Sequence, residues 1–297
     1  MRHLAVVAGL CLLGGAGSAA AHEGPERVLE RLNRQMDQQG VSADVLFRRA
    51  SIYRSQRQYQ SAAAELKRAL ELEPEAELIR LELLRIRLKQ FERVLVAAGD
   101  RAGMRTMAAG LLERSEALLS SRDAGVRAAT LAVRGQLYRH LQQPLEAATA
   151  FEAALQIQPD HVQWVLWRAE AQQRLDRHGE AVEGLGATVQ RTGHPVLEAA
   201  LCDALLTWAE RDDRASEASL RQANRIIDHR LAASRLKSGW QIRKARGLII
   251  AGRHQEAAPL LQAATAELDL RINDTRPDPE LLRRRAEVNG LLAKTHR

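Results

Sequence analysis

The chain has 297 residues, a net charge of +7, 27% charged residues and only 3% aromatics. Two cysteines exclude a disulfide-built protein, and abundant Ala, Leu, Arg and Glu favour helices throughout. So few aromatics suit stacked helices better than a compact globule. The charges are interspersed, with no aromatics among the basic residues, which argues against a nucleic-acid partner.

Arg2 and His3 precede an apolar run from Leu4 to Leu13, and Ala19, Ala20 and Ala21 form a small-residue cleavage site. That pattern predicts a secretory leader over 1–21 and a periplasmic or secreted protein starting at His22. Cys11 follows Leu10, which is too large to precede a lipidated cysteine. Loss of Arg2 with the leader leaves a charge of +6. Cys202 is then the one thiol, read as a small core residue of an apolar run over 196–208. No later segment is long and apolar enough to span a membrane, so no integral membrane segment is expected after cleavage.

Pro25 to about Gln39 reads as a short amphipathic helix, with Val28, Leu29, Leu32 and Met36 on one face. The segment 22–41 is expected to cap one end of a helical array. From Ser42, the residues Leu46, Ala50, Tyr53, Tyr59, Ala62, Leu66, Ala69, Leu70 and Pro74 mark two helices and a stop. The pattern then loosens. Helices are expected over 75–89, with Leu78 among the apolar positions, and over 104–119; VLVAAGDRAGM, between them, is a candidate loop.

The clearest stretch runs from Leu131 to Pro159. Gly135, Ala147 and Ala154 let two helices approach closely, Tyr138, Phe151 and Leu155 fill the space beside them, and Pro159 ends the second. Gln142, Gln143 and Pro144 make the turn. One register further on, Val165, Ala169, Ala181 and Leu185 repeat the packing positions. Helices over 195–210 and 216–236 lack clean matches. A last copy places Ala245, Leu248, Gly252, Ala257, Leu261 and Ala264 in register, without the closing proline. Pro277 and Pro279 then break the chain, and a helix over 281–292 is expected to seal the end, with Arg283, Arg284 and Arg285 as its solvated face.

This alternation of small and large residues resembles the tetratricopeptide repeat, a helix–turn–helix unit of 34 residues. Within 131–159 the matching residues are Leu131 in place of the usual Trp, then Gly135, Tyr138, Ala147, Phe151, Ala154 and Pro159; Arg134 departs from the usual Leu. Copies fall at about 42–75, 129–161, 162–195 and 239–270 of a repeat domain over 42–297. The resemblance implies an all-α fold, a right-handed superhelical solenoid of antiparallel helix pairs. It also implies a non-catalytic scaffold that holds a protein or peptide partner in a concave groove. Groove positions carried over from the family are Phe47 and Arg54 in the first copy, Gln136, Arg139 and His140 in the second, and Trp167, Glu170 and Arg174 in the third. Phe47 and Trp167 would be apolar anchors. The Lys and Asn with which family members hold a peptide carboxylate are absent, although the sign of the charge is compatible with an acidic partner. A self-associating structural role is a further reading.

Arg49, Arg134, Arg168 and Lys244 occupy one position in four copies, on a face that packs. An inter-repeat brace is expected there, with an apolar stem and a charged head, rather than a positive ladder for an acidic partner.

No catalytic residue, cofactor or metal site is expected. H-E-x-x-H, G-x-S-x-G and G-x-x-x-x-G-K-[ST] are all missing. Gly184 and Gly186 lie inside a helical repeat. The histidines from His140 to His296 are scattered. The alternative to a scaffold is a metal-handling or enzyme-accessory protein, in which the amine and imidazole of a mature N-terminal His22 would chelate Cu(II).

Overall fold

The structure, a computed structural model, describes residues 24–97, 101–274 and 278–295, and every regular element among them is an α-helix. The expected leader over 1–21, Cys11, His22, the stretch at Gly99 and Asp100, Pro277 and His296 lie outside the described residues. The helices of the expected 42–297 repeat domain fall into two compact units, one up to Met104 and one from Arg105 on.

The first unit contains α1 (Pro25–Gln39), α2 (Ala43–Ser55), α3 (Tyr59–Leu72) and α4 (Glu77–Ala97). Ser42 caps α2 by accepting from the Val45 N–H at 3.3 Å. Leu46 and Ala50 of α2 meet Ala62, Leu66 and Ala69 of α3 in a fully buried core, which Met36 of α1 joins. The helix α4 continues well past residue 89 because Phe91 is buried with Leu81, Leu84, Ile86 and Leu88. Its apolar residues lie on more than one face, so no single stripe announces it. Leu78 is exposed instead, and Ile79 takes the core position.

After α5 (Arg101–Leu119), which crosses the boundary, the second unit continues with α6 (Ala124–His140), α7 (Pro144–Ile157), α8 (Val162–Arg174) and α9 (His178–Thr192). Asp123 caps α6 by accepting from the N–H groups of Gly125 and Val126. Gly135 lets α7 approach so closely that Phe151 fills the space where a Cβ would stand. The remaining helices are α10 (Pro195–Arg211), α11 (Asp213–Ala233), α12 (Ser238–Ile250), α13 (His254–Asp274) and α14 (Pro279–Thr295). They pair like the others, but a single residue, Asp212, separates α10 from α11.

Three inter-helix turns share a feature that no glycine announces. Arg57, Gln142 and Asp176 have φ of 59°, 57° and 57°, and Gly252 has 75° at the equivalent place. The following N–H reaches back in each case: Arg177 donates to the Gln172 carbonyl, as Gln143 does to Tyr138, closing the helix end.

The recurring basic residue braces neighbouring helix pairs. Arg134 of α6 donates to the Leu112 carbonyl, the Ser115 hydroxyl and Glu116 of α5 at 3.3, 2.8 and 2.6 Å. Arg168 of α8 donates to Glu152 of α7 at 2.5 Å, and Lys244 of α12 pairs with Asp228 of α11. In the first unit Arg49 reaches Met36 Sδ of α1 at 3.0 Å and Glu65 of α3 at 3.4 Å. Gly184 is part of the device, because a Cβ there would collide with the Arg168 guanidinium. In α14, Arg283 and Arg284 pair with Glu280 of their own helix, but Arg285 crosses to Asp269 of α13 at 2.7 Å. The trio is therefore not simply a solvated face.

Candidate functional site: the face of the first helices

The first helix of each pair in the second unit is α6, α8, α10 or α12, and salt bridges link α6 to α8 and α10 to α12. Arg139 of α6 donates to Glu170 Oε2 of α8 at 2.8 Å. Its guanidinium carbon lies 5.3 Å from the Trp167 ring centroid, in cation–π range. Arg174 donates to the other oxygen, Oε1, of Glu170 at 2.8 Å. Trp167 is half-buried, and its ring lies 5.4 Å from that of the core residue Phe151. Four residues expected from the repeat positions, Arg139, Trp167, Glu170 and Arg174, thus form one constellation. The sharing of Glu170 between two arginines orients both.

The other candidates are Gln136, His140, Phe47 and Arg54. Gln136, half-buried on α6, donates to the Ala132 carbonyl of its own helix at 3.4 Å. His140 is the last residue of α6 and is half-buried. Phe47 and Arg54 belong to the first unit. Phe47 packs on that unit's core, and Arg54 lies 2.9 Å from Glu82 of α4. Trp164 is buried and stacks on His161 with ring centroids 3.8 Å apart, so it packs rather than presents a surface.

A second constellation sits on α10 and α12, for which no groove position is carried over from the family. Arg243 forms a two-pronged bond to Asp203, Nε to Oδ1 at 2.8 Å and Nη2 to Oδ2 at 2.6 Å. Its guanidinium carbon lies 5.0 Å from the Trp240 ring centroid. Burial works against the charged guanidinium, but Asp203 outweighs it and holds Arg243 above its ordinary value. Arg246 donates to Thr207 at 3.1 Å and to Glu210 at 2.6 Å. The spacing Trp240-x-x-Arg243 was one signal, since it places both side chains on one helical face, and the register of the last copy, which aligns Arg246 with Gln136 and Glu170, was another.

Between α8 and α10 a crevice of ≈ 180 Å³ opens on this face, with Glu170 and Asp203 on its walls. A larger cleft of ≈ 510 Å³ lies among α7, α8 and α9, lined by the brace residues Glu152 and Arg168 and by Arg191. Cys202 is fully buried, and burial, with Asp203 beside it, pushes its thiol up to about 12. Among the described residues no three His, Cys, Asp or Glu side chains are grouped to hold a metal ion. Among them, too, no helix is long and apolar enough to cross a membrane.

Family models of the tetratricopeptide repeat match residues 43–76 and 128–161. Both windows coincide with closely packed helix pairs, α2 with α3 and α6 with α7, so these two stretches are tetratricopeptide repeats. A comparison with curated proteins finds no match. Among solved structures, the chain is similar to a tetratricopeptide-repeat protein of Parabacteroides merdae, at 14% identity over 92% of this chain and 99% of that one, with a TM-score of 0.49. It is similar to a thermophilic repeat protein of Thermus thermophilus at 16% identity over 70% and 100% of the two chains, TM-score 0.41. Yeast Tom70 shares 13% identity over 92% of this chain and 60% of its own, TM-score 0.41. At these scores the likenesses carry no argument about function.

Proposed function

We propose that the protein is a non-catalytic scaffold that binds a segment of a partner protein along the face of α6, α8 and α10. The observation that carries this reading is the half-buried Trp167, held by Arg139 and flanked by Glu170 and Arg174 beside an open crevice. A rigid aromatic with a paired arginine is the kind of anchor on which interfaces concentrate their energy. The side chains are already ordered by their mutual bonds, so less entropy is lost when a partner docks. A photo-crosslinking residue placed at Gln136 tests the proposal against one placed at the exposed Glu183 of the α7–α9 cleft. A discrete protein adduct from Gln136 and none from Glu183 supports it; the reverse pattern overturns it.

We also propose that the protein works outside the cytoplasm, on the strength of the leader pattern over 1–21. N-terminal sequencing of the cellular protein should begin at His22, and a chain beginning at Met1 would count against export.

A further inference from the structure

We infer that the crevice between α8 and α10 receives a lysine or arginine side chain of the partner segment, an inference that rests on the groove reading above. Two features of the crevice carry it. Leu166, Ala169, Leu185 and Ala200 give it an apolar lining, and the two alanines leave it open. Its polar walls hold Glu170 from α8 and Asp203 from α10, and no basic residue lines it among the described residues. The arginines that hold these carboxylates, Arg139 and Arg174 for Glu170 and Arg243 for Asp203, grip them from outside the crevice.

A carboxylate offers about four acceptor sites, and the arginine bonds use two on each. Acceptor capacity is therefore left on both walls. The volume, ≈ 180 Å³, equals the share of roughly six waters at about 30 Å³ each, enough for one long side chain. Lysine and arginine match such a site because an apolar stem suits the alanine and leucine lining while the cationic head reaches the acids. Elsewhere on this face Arg139, Arg174, Arg243 and Arg246 are each already paired with a carboxylate of the chain, so an acidic partner would have to break existing bonds. The charge pattern thus points away from the acidic partner that the net charge allowed.

Peptides selected from a random display library on the purified full chain test the inference. A lysine or arginine should be enriched at one fixed position. Asp203→Asn and the crevice-filling Ala200→Leu should each weaken the best peptide about tenfold with the helical melt retained. Replacing the peptide's basic residue by alanine should produce the same loss, and Asp203→Asn should then add little to it. Binders without a basic preference, or binders indifferent to both variants, would overturn the crevice assignment while leaving the groove reading intact. A library that yields no binder at all ends both.

Discussion

Replacing Gly135 with alanine should destabilise the second unit, although alanine is the better helix former. The added Cβ would stand 2.6 Å from Phe151 Cε1, 2.7 Å from Cζ and 2.9 Å from Cδ1. Phe151 is fully buried and faces Trp167 on another side, so the ring has little room to withdraw. Overpacking of this kind costs about 1–3 kcal/mol. The gain in helix propensity over glycine offsets roughly 1 kcal/mol of it. The net expectation is a loss of about 1 kcal/mol. Gly186 of α9 supplies the control, because a Cβ there meets nothing within 4 Å and alanine should keep its full gain. The same chemical change should therefore act with opposite sign at the two sites, about 2 kcal/mol apart. At about 2–4 °C per kcal/mol for a unit of this size, the melting temperatures should differ by roughly 4–8 °C. Far-ultraviolet circular dichroism of both variants beside the parent protein measures this. If Gly135→Ala melts at or above the parent, level with Gly186→Ala, the close approach of α6 and α7 is not what Gly135 provides.

Other consequences arise from the same packing. Arg134→Met should lower stability by about 1 kcal/mol in urea titration while any groove binding persists; Glu116 is 60% exposed, so most of the loss should come from the bonds to Ser115 and Leu112. Lost binding in a fully stable variant would favour a positive ladder instead. In the turns, Gln142→Gly should stabilise by up to about 1 kcal/mol and Gly252→Ala should destabilise by a similar amount, because only glycine adopts a positive φ without steric cost. Equal and negligible shifts in chemical denaturation would show these turns to be relaxed in solution. Cys202, with its thiol pushed up to about 12, should stay unmodified by a thiol reagent at mildly alkaline pH and react only in denaturant. Prompt reaction of the native protein would contradict its place in the core.

Much of the architecture was legible because the repeat writes packing into spacing. Gly135 against Phe151, and Ala50 with Leu46 against Ala62 and Leu66, are the small–large contacts that the sequence pattern proposes. The recurring Arg or Lys was legible as a brace because a charge repeated on a packing face needs a partner nearby. The partners of Arg134 were not, since Ser115 and Glu116 lie in α5, outside any recognisable copy. The helix α4 was cut short because its apolar residues face several ways, and α10 and α11 keep nearly the 34-residue spacing but carry Asp203 and Ser219 at the positions of Gly135 and Phe151. The site divides the same way. Arg139, Trp167, Glu170 and Arg174 follow from repeat positions, while Asp203 lies on α10, which has no clean repeat match, and Arg243 and Arg246 lie in the last copy, for which no groove position is carried over. The left-handed turns stayed hidden because Arg57, Gln142 and Asp176 occupy positions that glycine usually marks.

Hydrogen–deuterium exchange tests the central claim most directly, on the purified protein with and without the partner captured through Gln136. Slowed exchange along α6, α8 and α10, with α7 and α9 unchanged, is the predicted result. Slowing confined to α7 and α9 around the ≈ 510 Å³ cleft, or no slowing anywhere, would contradict it.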